Sequence, residues 1–143
     1  MEDMTTAVAE ELAKWWPEMT IYRENQKNGF AAPSFYVHRR PTTREPDVIG
    51  HDHELRTYQM EVLYTPPLDE DGTNADIDAV RDQMLDCLHI VGGKYRVTNW
   101  SDTVSDDTLV VTFDLPVHVQ YEQHPVLQEQ LDYTGDVKDD SKQ

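Results

Sequence analysis

The sequence predicts an α+β domain, and three observations carry that reading. Met4, Val8, Leu12 and Trp15 recur at helical spacing near the N-terminus, and Ile77, Val80, Met84, Leu88 and Val91 do so further on. Between and after them, Tyr58, Met60, Val62 and Tyr64, and then Leu109, Val111, Phe113, Leu115, Val117, Val119 and Tyr121, alternate with other residues at period two. Two amphipathic helices against several alternating strands imply a mostly antiparallel sheet of about five strands, both helices on one face, in the order α-β-β-β-α-β-β.

The first helix spans Met4–Trp16, with Asp3 as its cap and Pro17 as its stop. A short strand, Met19–Glu24, leads into a turn at Asn28-Gly29. The second strand, Ser34–Arg40, places Phe35 and Val37 on one face and Tyr36 and His38 on the other. Pro41 ends it, and the segment from Pro41 to Asp52 reads as a long loop rich in proline and glycine. The third strand, Glu54–Thr65, stops at Pro66-Pro67. The second helix runs from about Asn74 to Ile90, capped by Asn74 or Thr73 and stopped by Gly92-Gly93. Lys94–Val104 and Thr108–Tyr121 read as a hairpin whose second arm is central, with Pro116 needing a bulge or a free edge. One domain over residues 1–121 and an acidic, partly disordered tail over 122–143 are expected.

Charge excludes several functions. The chain of 143 residues carries 28 acidic and 12 basic side chains, a formal net charge of -16. That balance repels phosphate, so duplex readers and anionic membranes are poor partners. The single cysteine, Cys87, has no internal disulfide partner and fits a reducing compartment. No run approaches the roughly 18 apolar residues of a membrane span. The acidic N-terminus lacks the basic region of a signal peptide. The protein reads as cytosolic.

Catalytic chemistry finds little support. His51 and His53 in HDHE could chelate zinc, but nothing fixes a third ligand beside them. The acidic run Asp69–Asp78 lacks the spacing of a calcium loop. Cys87 adjoins core Leu88 and reads as a half-buried structural residue. No cofactor site is expected.

What remains is positive charge: His38, Arg39, Arg40 and Arg44 cluster in an otherwise acidic chain. They either pair locally with Glu45 and Asp47 or form a docking edge. Arginine forks suit carboxylates, and the segment from Asp69 to Asp86, beginning Asp69, Glu70, Asp71, is a complement for a head-to-tail contact between copies.

IYRENQKNGFAAPSFYVHRR, then RTYQMEVLYTPP, then the second helix and the arm DTLVVTFDLPVHV together resemble a phage tail terminator family, over roughly residues 4–121. The resemblance implies a non-enzymatic virion protein. Its copies would form a ring, of six subunits, that caps the tail tube, ends tube polymerisation and meets a head–tail connector. Phage DNA would pass through the lumen without specific binding, and the protein would move from host cytoplasm to the head–tail junction. Arg39, Arg40, Arg44, Asp69, Glu70 and Asp71 are interface candidates on charge alone. Rival readings are another head–tail joining protein, an acidic DNA mimic, or a zinc hydrolase built on His51 and His53.

Overall fold

A computed structural model describes residues 3–27, 29–46, 52–67 and 73–120. By packing, the chain divides into one unit of residues 1–45 and 55–117 and a second of 46–54 and 118–143. The elements are α1 (Met4–Trp15), β1 (Thr20–Tyr22), β2 (Ser34–Arg39), β3 (Thr43–Pro46), β4 (His53–Thr65), α2 (Thr73–Cys87), β5 (Ile90–Val91), β6 (Tyr95–Arg96), β7 (Thr98–Ser105) and β8 (Thr108–Gln120). Among the described residues the main sheet has the order β1-β2-β4-β8-β7, with β3 also on β4. The expected α+β class holds.

Residue chemistry explains the layers. β2 and β4 are antiparallel with Phe35 opposite Tyr64 and Val37 opposite Val62, so these four share a face. All are buried, as are Met60, Leu109, Val111, Phe113 and Leu115. Both helices lie on that face. The Trp16 ring meets Phe35 edge-on at 5.1 Å, just past the end of α1, and α1 packs on β2 and β5. On α2, Asp76 accepts a hydrogen bond from the Tyr64 hydroxyl. Met4, Val8 and Leu12 of α1, and Ile77, Val80 and Met84 of α2, fill the space between. Each such side chain contributes about 1.5–3 kcal/mol of apolar transfer free energy. Trp15, on the expected α1 stripe but in its last position, stays exposed, as does Leu85.

The caps follow side-chain chemistry. Asp3 is extended (φ -72°, ψ 116°), and its carboxylate accepts the Thr5 N–H at 3.0 Å and the Thr6 hydroxyl at 3.2 Å. α2 begins at Thr73, one residue before the expected Asn74.

The expectations need four corrections. β1 pairs with β2 in parallel, Ile21 beside Phe35, because residues 23–33 carry the chain back before β2 starts. Part of the expected Pro41–Asp52 loop is a strand, β3, whose exposed residues Thr43–Pro46 show no alternation to betray it. Residues 47–51 lie outside the described residues. Gly92 and Gly93 do not stop α2, which ends at Cys87. With φ of 62° and 74° they turn the β5–β6 hairpin, where Val91 opposes Tyr95. The arm before β8 is accordingly divided into β6 and β7.

Pro116 needs no bulge in its own strand. The pairs Ser101–Thr112 and Thr98–Asp114 turn even-numbered β8 residues toward β7 and put the irregularity in β7. Position 116 then lies past the last β7 partner, so that flank asks for no N–H donor.

Candidate interaction surface

The face of β2 away from the helices carries a row of aromatic side chains. Tyr22 meets Phe30 at 5.2 Å, Phe30 stacks on Tyr36 at 4.8 Å, and Tyr36 stacks on His38 at 4.9 Å. The row ends where His38 Nε2 pairs with the Glu61 carboxylate across the β2–β4 ladder. His38 is therefore engaged locally and does not belong to a free positive cluster.

The three arginines separate by strand parity. Arg39 shares the helix face with Phe35 and Val37. Its guanidinium lies 5.0 Å from the Tyr58 ring centroid and donates to the Thr42 hydroxyl at 2.6 Å. That cation–π contact ties the end of β2 to β4. Arg40 is exposed, and its N–H extends the ladder to the Gln59 carbonyl at 2.7 Å. Among the described residues its guanidinium has neither hydrogen bond nor ion pair. Arg44 is exposed on β3 and makes an interaction of its own. The side chain left available for another molecule is thus Arg40. Asp69, Glu70 and Asp71 lie outside the described residues.

Of the two metal candidates, only His53 is among the described residues. His53 Nε2 is 3.5 Å from the adjacent Asp52 carboxylate, and His51 lies outside the described residues. Among the described residues no three His, Cys, Asp or Glu side chains are grouped to hold an ion. Among the described residues no helix is long and apolar enough to cross a membrane. Cys87 is half-buried, as expected. Burial first, and then the Glu11 carboxylate, push its thiol up to about 11, the reverse of what a nucleophile needs. Tyr64 is also raised, by burial and then by its hydrogen bond to Asp76.

Composition did not reveal one polar cluster. Arg81 of α2 bonds Asp78 at 3.0 Å and sets Nε 3.0 Å from Asp102 of β7, near enough for an ion pair though not aligned as a hydrogen bond. Asp102 also accepts the Trp100 indole N–H at 2.9 Å, and Trp100 stacks on Phe113 at 5.8 Å. This lattice fastens β7 under α2. Residues 21 positions apart give no local signal for it.

No curated protein matches the chain in sequence. A solved structure 18% identical aligns with 83% of this chain and 94% of its own, at a TM-score of 0.34. A family model described as phage tail terminator protein matches residues 3–126. That span takes in both helices and every strand of the main sheet, and on it the chain belongs to the phage tail terminator family, a structural family of phage tail completion.

Proposed function

We propose that copies of this chain close into a ring, of six subunits, on the end of the finished tail tube. The ring stops tube polymerisation and offers the head-side connector a surface to join. The family match over residues 3–126 carries this reading. The net charge of -16 supports the passage of DNA through the lumen without adhesion. Neighbouring copies meet head to tail, the Arg39, Arg40 and Arg44 edge of one against Asp69, Glu70 and Asp71 of the next. Arg40, whose guanidinium has no partner among the described residues, leads that contact.

Deletion of the gene from the parent phage tests the role. Filled heads beside unjoined tails of uncontrolled length are expected, and normal tails joined to heads would end the proposal. Arg40→Glu tests the contact. It should weaken ring assembly by an order of magnitude or more, read by sedimentation, because it sets carboxylate against carboxylate. An unchanged assembly profile removes Arg40 from the interface without touching the family assignment.

A further inference from the structure

β7 is an edge of the main sheet. It pairs with β8 on one flank and, among the described residues, with no strand on the other. Its turn determines which backbone groups are free. Asp106 and Asp107 have φ of 51° and 59°. Two positive φ values in a two-residue loop make a type I′ hairpin. In such a hairpin the flanking pair, here Ser105 and Thr108, exchanges both N–H···O bonds, and bonded and non-bonded pairs then alternate. Thr103 opposite Val110 and Ser101 opposite Thr112 are therefore bonded inward. The Ser101 carbonyl also accepts the Thr112 hydroxyl at 3.4 Å, which agrees. Asp102 and Val104 turn their N–H and C=O groups out of the sheet.

Sheet edges are ordinarily guarded by charged side chains, by proline, by bulges or by being short. β1, the other end of the sheet, is three residues long and followed by Arg23. β7 is eight residues long and has no lysine, arginine or proline. Its one charge, Asp102, is held by Arg81 and Trp100. Val104 is apolar and 43% exposed. The register slip is confined to Thr98–Ser101, which leaves Ser101–Ser105 regular.

We propose that the outer edge of β7 is a strand-pairing site for the β7 of a second copy, antiparallel about a two-fold axis at Thr103. The segment is self-complementary in that register. Asp102 of each copy stands opposite Val104 of the other, and both residues present their backbone groups outward, so four hydrogen bonds close. The two Thr103 side chains meet at the close non-bonded site, a favoured cross-strand pair. Each acidic Asp106–Asp107 turn falls beside Asn99 and Trp100 of the other copy, so the two turns sit at opposite ends and like charges stay apart. This contact uses a different surface from the arginine edge and stands independently of the ring.

The test uses the full chain, in sedimentation over a concentration series. Val104→Pro removes a donor that points outward and leaves the ladder to β8 intact, as proline tolerates at an edge. The two-fold duplicates the loss, so dimer affinity should fall about thirtyfold, about 2 kcal/mol, with the far-ultraviolet circular dichroism unchanged. Thr103→Cys in a Cys87→Ala background should form a symmetric disulfide under mild oxidation, because non-bonded strand neighbours lie about 4.5 Å apart at Cα. A wild-type chain monomeric throughout overturns the proposal. So does a dimer that survives Val104→Pro at full affinity, or a Thr103→Cys variant that cross-links only to a different tail protein in assembling particles.

Discussion

Removing one oxygen atom at Tyr64 tests how α2 is held to the sheet. Tyr64 is 2% exposed on β4, and its hydroxyl donates to the Asp76 carboxylate in the first turn of α2. Tyr64→Phe keeps the ring packed at 5.3 Å against Phe35 and deletes only the donor. A hydrogen bond to a charged partner contributes about 1.5–3 kcal/mol. Asp76 is half-buried and recovers some hydration, so the loss should fall near the lower end, about 1.5–2 kcal/mol. An unfolding entropy of about 2.1 cal/mol/K per residue turns that into a fall in Tm of about 6 °C. Thermal unfolding at pH 7 measures it. The same bond has a pH signature. Burial and the Asp76 carboxylate raise the Tyr64 pKa above its ordinary 10.0, so the folded state favours the protonated phenol. Its contribution is complete below pH 10 and drains away as pH rises from there toward the folded value. The wild type should therefore lose stability above pH 10 more steeply than Tyr64→Phe, and the two curves should converge. A Tm change under about 2 °C, or parallel pH profiles, would refute the reasoning.

Two further outcomes follow from the same packing. Raising the Cys87 thiol from 9.0 to about 11 lowers its thiolate fraction near pH 8 about a hundredfold, partly offset by the greater nucleophilicity of the more basic thiolate, so alkylation of the native chain should be slower than that of the urea-unfolded chain by about tenfold or more; equal rates would show an accessible, unperturbed thiol. Asp3→Ala should cost about 1 kcal/mol in urea unfolding, because it orphans the Thr5 N–H at the start of α1, whereas Asp3→Asn should retain most of the stability.

The sequence made the core legible wherever one period ran long enough. Leu109 to Val117 alternates over five buried positions, and β4 alternates over Tyr58 to Tyr64, so both strands and their faces could be read directly. Asp3 was legible as a cap because a carboxylate before an apolar stripe has few other uses. Pairing direction was not legible. Asn28-Gly29 suggests a hairpin, but the parallel β1–β2 pair is decided by where residues 23–33 lead the chain, a tertiary matter. β3 escaped notice because Thr43–Pro46 is exposed throughout and shows no buried face. Gly92-Gly93, expected to stop α2, instead supply the positive φ of a strand turn, since glycine reports a backbone conformation and not the element that uses it. The arginine cluster was visible as composition. Only the strand parity that turns Arg39 onto Tyr58, and the pairing of His38 with Glu61, could separate Arg40 from its neighbours.

The order β1-β2-β4-β8-β7 sets a condition on synthesis as well as on shape. Among the described residues β8, which joins β4 to β7, is the last strand to leave the ribosome. A nascent chain that ends before Thr108 holds α1, β2, β4 and α2 but no Leu109, Val111, Phe113 or Leu115 for them to close upon. Its interior stays open until β8 has been made, and long-range pairing of this kind is slow. Products truncated before β8 should accordingly be degraded, and the supply of competent subunits should be timed by the synthesis of β8.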